Sequence, residues 1–150
     1  MIVASERLPE LRGTVAMVSG GFDPLHDGHV VHFEEAAGIG APLLCNVTGD
    51  SYVAQKHPPL LPQERRARVI DSLRPIAYTH VSDLPTHEVL DRARPRYFVK
   101  GPDWRGRLPE AELRVCERAG IEVVYMDTVL ASSTEILTRC LDSYREMQST

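Results

Sequence analysis

Val18-Ser19-Gly20-Gly21-Phe22-Asp23-Pro24-Leu25-His26-Asp27-Gly28-His29 decides how the rest of the chain is read. The apolar run that leads into it, Val15-Ala16-Met17-Val18, is strand-like and ends in two glycines. A short loop then carries two histidines separated by Asp27-Gly28, and a helix-like segment opens at His29. Glycines at such a turn let backbone approach a ligand closely. A helix N-terminus offers free N–H groups and the positive end of a dipole, worth ~0.3–1 kcal/mol per exposed anionic charge. Imidazoles placed there donate to phosphate oxygens without a full competing negative charge. The stretch predicts a triphosphate site, with Gly20, Gly21, Phe22, Asp23 and Gly28 shaping it and His26 and His29 acting in it. The plainer alternative is a pair of ordinary loop histidines beside a glycine.

Outward from this loop the chain alternates. Strands are expected over residues 14–19, 42–48, 76–81, 96–100 and 121–126. Residues 29–37 read as a helix, with Val30, Phe33 and Ala37 on one face and Gly38 as its stop. Pro62 opens a helix that Gln63 to Leu73 continues, with Ala67, Ile70 and Leu73 inward and the arginines outward. Further helices are expected over 86–93 and 109–119, the second stopped by Gly120. The last begins near Ser132, which has capping-box spacing to Glu135, and carries an apolar face of Ile136, Leu137, Cys140, Leu141 and Tyr144. This predicts one α/β Rossmann-like domain over residues 1–150, with its core at about 14–140. Its five-stranded parallel sheet has helices on both faces. Ligands of such sheets bind outside the carboxyl ends of the strands, at the switch point, where the first βα loop belongs.

Composition narrows the function classes. The net charge of −4 leaves no basic footprint for nucleic acid and no polybasic membrane patch. Cys45, Cys116 and Cys140 form no Cys-x-x-Cys pair, so neither a disulfide framework nor a zinc knuckle is supported. The N-terminal residues lack the apolar core of a signal peptide, and no segment reaches the ~18 apolar residues of a membrane span. A cytoplasmic location is expected. His32, His57, His80 and His87 have no spacing that builds a metal site, and no protein metal ligands are expected.

Four other places carry candidate chemistry. Lys56 follows the second strand, where its ammonium is either a solvated loop charge or a mobile cation for phosphates. Glu64-Arg65-Arg66-Ala67-Arg68 is either a helix's exposed face or the source of one forked donor for a triphosphate. Lys100-Gly101-Pro102-Asp103-Trp104-Arg105-Gly106 places the only tryptophan beside glycines after a buried strand. A base or substrate pocket is preferred there over a turn with a packing ring. Ala131-Ser132-Ser133-Thr134-Glu135 caps a helix and could bind a phosphate as well. Asp23 either orients a histidine or lysine, or closes the turn.

Together these pieces resemble the small nucleotidylyltransferases of the HxGH superfamily. The likeness is to the cytidylyltransferase group, which includes glycerol-3-phosphate cytidylyltransferase and the adenylyltransferase domain of ADP-heptose synthase. Residues 20–29 look like the signature GxFDxxHxGH, with Phe22, Asp23, His26, Gly28 and His29 in place. Lys56 stands where the family keeps a phosphate-binding lysine, and Glu64 and Arg66 look like its Glu-x-Arg. Tyr97 to Trp104 is similar to V-K/M-G-x-D-Y/W, and Ser132-Ser133-Thr134-Glu135-Ile136 resembles the terminal S-T/S-T-x-I.

The resemblance implies attack by an acceptor's phosphate on the α-phosphorus of a nucleoside triphosphate, with Mg²⁺ bound to the nucleotide and pyrophosphate leaving. It makes His26, His29 and Lys56 the catalytic residues. It implies that Gly20, Gly21, Phe22, Asp23, Gly28, Arg66, Lys100, Gly101, Asp103, Trp104, Ser132, Ser133 and Thr134 bind the nucleotide or acceptor. The partners implied are the triphosphate, a small phosphorylated or phosphonate acceptor of sugar or polyol type, and a second copy of the chain as a homodimer. CTP is favoured over ATP by a small margin. Against that choice, the group's Arg-Thr-x-Gly before the serine-threonine run is replaced by Met126-Asp127-Thr128-Val129-Leu130-Ala131. The alternatives are an adenylyltransferase of the heptose-phosphate or nicotinate-mononucleotide kind, although the latter carry an Arg where Leu137 stands. Outside catalysis they are a nucleotide sensor without turnover, or a structural module whose hydroxyls and rings only cap helices.

Overall fold

Alternation of inward side chains on the first strand sets the layering. Val15 and Met17 join one apolar cluster, Ala16 and Val18 the other, so the strand is covered on both sides. The computed structural model describes residues 1–128 and 132–149. Its elements, in chain order, are β1 (Ala16–Gly20), α1 (Asp27–Ala37), β2 (Leu43–Thr48), α2 (Asp50–Val53), α3 (Gln63–Asp71), β3 (Tyr78–Ser82), α4 (Thr86–Ala93), β4 (Tyr97–Lys100), α5 (Glu110–Ala119), β5 (Glu122–Tyr125) and α6 (Ser133–Gln148). Short 3-10 turns cover Ser5–Leu11 and Pro102–Trp104.

All five strands are parallel, in the order β3-β2-β1-β4-β5. This is the Rossmann-like α/β domain expected from the alternation. One face carries Phe33 and Ala36 of α1 with Ala67 and Ile70 of α3. The other carries Val89, Leu90 and Ala93 of α4, Val115 and Cys116 of α5, and Leu8 and Leu11 from the first 3-10 turn. Fully burying a side chain such as Phe33 or Leu90 stabilises the fold by roughly 1.5–3 kcal/mol.

The ladder is uneven where it matters. β1 pairs β2 over five rungs, from Ala16–Leu43 to Gly20–Val47, but pairs β4 only at Ala16–Tyr97 and Met17–Phe98. Beyond that rung Val18–Gly20 and Val99–Lys100 run on unpaired with each other, and the strand order reverses there. A crevice at this point is where such sheets take their ligands.

Three expectations need correction. α1 starts at Asp27, not His29, because His26 is its N-cap. The alternation assigns no element to the stretches that hold the two 3-10 turns and the four-residue α2. The apolar face of α6 is not a core face: no residue of this helix is buried, and Leu141 and Tyr144 are more than half exposed. Among the described residues no helix is long and apolar enough to cross a membrane.

Candidate active site

The histidine loop is held by its own backbone. The ring of His26 accepts the N–H of Gly28 through Nδ1 at 3.0 Å, and His29 accepts the N–H of His26 through Nδ1 at 3.2 Å. A nitrogen that accepts cannot carry the ring proton, so in both neutral rings the proton sits on Nε2. The rings stack with centroids 3.8 Å apart. Burial pushes the pKa of His29 down to about 4, and the neighbouring His26 and His32 push the same way. His29 is therefore a neutral donor at pH 7. Nε2 of His26 is buried and has no hydrogen-bond partner among the described residues, which leaves an N–H without an acceptor there.

Phe22 explains how the loop keeps this shape. Its backbone is in the left-handed region, at φ 51°, which a bulky residue adopts only when packing over-determines it. Its ring meets His29 edge-on at 5.0 Å and Phe33 at 5.1 Å. A Cβ on Gly20 would lie 3.0 Å from that ring, so glycine is needed where the ring folds back. Asp23 orients neither a histidine nor a lysine. Its buried carboxylate accepts the N–H groups of Leu60 (2.7 Å) and Leu61 (3.2 Å), which ties the histidine loop to the segment before α3.

Arg66 is the main correction. Expected to face phosphate, it is buried and committed to the scaffold. Nε donates to the carbonyl of Leu61, Nη1 to the carbonyls of Gly21 and Thr48, and Nη2 to Asp50 at 2.7 Å. This guanidinium gathers three chain segments behind the site, and its charge is answered by Asp50. Lys56, by contrast, is exposed, and its charge is felt at Lys100.

Lys100 ends β4, almost fully buried, with Nζ 4.1 Å from the centre of the Trp104 ring. The tryptophan expected as a platform for a base therefore gives that ring face to a lysine, and it packs on the α4/α5 core cluster. Asp103 is exposed beside them, and a Cβ on Gly101 would lie 2.9 Å from its carboxylate. Ser132 caps α6 by accepting the N–H of Glu135, and Ser133 donates to the carbonyl of Pro24 at 2.9 Å. That bond brings the start of α6 against the histidine loop, with Thr134 exposed. Ala131, and with it the end of the stretch 126–131, lies outside the described residues.

Ser19, Thr86 and Glu112 had not been singled out. Ser19 continues the inward period of Val15 and Met17 with a polar residue, and that break in the pattern was the available signal. Its hydroxyl lies 3.3 Å from that of Thr86. Glu112 faces both Lys100 and His87, and burial pushes its pKa up.

A ring-donor pair at the first βα loop, set on the switch point of a parallel sheet, defines a nucleotide-binding Rossmann-like protein. Similarity to known proteins narrows the class. The chain belongs to the cytidylyltransferase-like family, whose model matches residues 17–139, and it is a nucleotidyltransferase. It is 34% identical over 140 residues to the bifunctional protein HldE of Syntrophotalea carbinolica, covering 89% of this chain but only 28% of that protein. It is 31% identical over 136 residues to the FAD synthase of Aciduliprofundum boonei, covering 84% of this chain and 89% of that one. In fold it is similar to the lipopolysaccharide core biosynthesis protein of Thermoplasma volcanium GSS1, with a TM-score of 0.67 at 23% identity over 78% of this chain and 98% of that one.

Proposed function

We propose that this chain moves a nucleoside monophosphate from a magnesium-bound nucleoside triphosphate to the phosphate or phosphonate of a small sugar- or polyol-type acceptor. The observation that carries the reading is Nε2 of His26, a buried N–H donor without a partner in a loop built to hold it still. An acceptor oxygen attacks the α-phosphorus in line. A new P–O bond forms, the bond to the bridging oxygen breaks, and pyrophosphate leaves with the electron pair. No side chain bonds covalently to substrate. Nε2 of His26 and His29 donate to oxygens whose charge grows in the transition state, and Lys56 adds a mobile positive charge. Such donors are worth ~2.7–4 kcal/mol each.

Among the described residues no three His, Cys, Asp or Glu side chains converge on a point. A magnesium ion carried on triphosphate needs only one or two protein carboxylates. Asp103, exposed at the rim, suits that part. Bound there, the ion would screen the triphosphate's charge.

Two donor nucleotides remain in the proposal. The likeness of Tyr97–Trp104 to the cytidylyl branch favours CTP. Relatives named FAD synthase favour ATP, since FAD contains an adenine nucleotide, and so does the missing arginine at 126–131. Pyrophosphate release with each nucleotide against a panel of sugar and polyol phosphates is the test. Release with one nucleotide and one acceptor class is expected. Stabilisation by a magnesium nucleotide without release from any pair would make the chain a sensor; neither response would reject the reading. Binding at about a hundred times Kd should stabilise by ~2.7 kcal/mol. A homodimer belongs to the same proposal, supported by the exposed Leu141 and Tyr144 of α6, and sedimentation of the chain against its Leu141→Glu variant tests it.

A further inference from the structure

Lys100 is a buried side chain whose ammonium forms no ion pair among the described residues. It is 8% exposed, and among the described residues no carboxylate or other oxygen pairs with its Nζ, which has only the ring faces of Trp104 at 4.1 Å and Phe98 at 5.5 Å. Drawing an ammonium partly out of water costs more than ring faces alone return. Glu112 and Asp103 favour its charge from a distance, while Lys56 opposes it.

Its place in the sheet gives this charge a purpose. Met17–Phe98 is the last rung between β1 and β4, and Ser19 and Lys100 each stand two residues further along. The two therefore share a sheet face, on opposite walls of the crevice. A polar row holds Ser19. His80 donates through Nδ1 to Oδ1 of Asn46 at 2.8 Å, and Nδ2 of Asn46 donates to the hydroxyl of Ser19 at 3.0 Å. Ser19 thus already accepts, and its own hydrogen is free for Thr86, at the first position of α4, or for a ligand. α4 has no side-chain cap at Pro85. The face concerned is the α4/α5 face, whereas α1 with its histidines covers the other.

Resting on the proposed reaction, we infer that Lys100, with Ser19 and Thr86 across the crevice, holds the phosphate of the acceptor and not that of the nucleotide. The acceptor is then a phosphate monoester or phosphonate whose anionic head enters from the α4/α5 face. Two anion cradles on opposite faces of one switch point set the attacking oxygen across from the leaving pyrophosphate, as an in-line displacement requires. Lys100 selects for an anionic acceptor over a neutral alcohol.

Trp104 is the only tryptophan, so its emission reports directly on the Lys100 ammonium. The protein is first saturated with magnesium and an α,β-methylene analogue of CTP or ATP, which cannot react, and inorganic phosphate is then titrated in. A saturable change in Trp104 emission is expected. Phosphate affinity measured by titration calorimetry, which does not depend on the Lys100–Trp104 contact, should weaken at least tenfold in Lys100→Met while nucleotide affinity stays within twofold, and Lys100→Arg should restore part of it. No emission change in the unmodified protein overturns the inference, as does a Lys100→Met variant that loses nucleotide and phosphate binding alike. Unfolding of Lys100→Met, seen by circular dichroism, leaves the unmodified-protein titration and Lys100→Arg to decide. Failure of the nucleotide analogues to stabilise the protein at all would instead reject the underlying reaction.

Discussion

His29 accepts the backbone N–H of His26 through Nδ1 at 3.2 Å, so the histidine on the first turn of α1 fixes the N-cap that the other one forms. The consequence reaches the chemistry. With both Nδ1 atoms engaged as acceptors, Nε2 of each ring is the nitrogen left to donate.

His29→Ala removes one of these donors and frees the N–H of His26. Turnover should fall by ~10²–10³-fold, the usual cost of losing one pre-organised donor. Stability should fall by only about 1 kcal/mol, the size of a lost helix cap. Pyrophosphate release and a thermal melt on the same sample check both; near-normal turnover would remove His29 from the reaction.

His80 should set an acid limit on stability. Burial, with Arg92 adding to it and Glu6 opposing, lowers its pKa from 6.5 to about 4. Between those values the unfolded chain takes up a proton that the native one refuses, so stability falls as pH drops through that window and levels below it. The contribution, complete above about pH 6.5, is roughly 2–3 kcal/mol, and His29 acts in the same direction. Urea midpoints between pH 7.5 and 4 should show the decline, and His80→Gln should make it shallower.

Arg66→Ala should destabilise by ~3–5 kcal/mol, because it strands the carbonyls of Leu61, Gly21 and Thr48 and releases Asp50. Chemical denaturation measures the loss. In the folded fraction the KM for nucleotide should change little; a large rise in KM with unchanged stability would return Arg66 to the phosphates.

Gly49→Ala tests the turn that delivers Asp50 to Arg66. An added Cβ would lie 2.9 Å from the carbonyl of Ser82 and 3.0 Å from Oε1 of Gln63, and would press on the Asp83 carboxylate. Oε1 of Gln63 holds the N–H of Asp50, so the turn must shift. A loss of ~1–3 kcal/mol is expected from such overpacking, read as a lower melting temperature.

How much of this was legible varies with the range of the interaction. The strand-to-helix periods and the Gly-Gly and His-x-Gly-His spacing are local, and they placed the histidine loop at the carboxyl edge of a parallel sheet. Arg66 was misread because helical period counts an arginine as outward. Only the meeting of three segments, at Leu61, Gly21 and Thr48, makes an inward guanidinium favourable. His80 looked ordinary for the same reason: its partner Asn46 is its register neighbour on β2, and register is invisible before strands pair.

By itself the sequence determined the class of fold, the loop that stands at the carboxyl edge of the sheet, and the residue types gathered in it. Period, turn chemistry and capping act within a few residues, so they are written in the order of the chain. Tertiary structure alone decided which cations stay free and which are consumed. Arg66 is neutralised by Asp50 and carbonyls brought from far along the chain, while Lys100 is buried against rings with no such partner among the described residues. Charge compensation is set by distance in space, and only the folded sheet sets those distances.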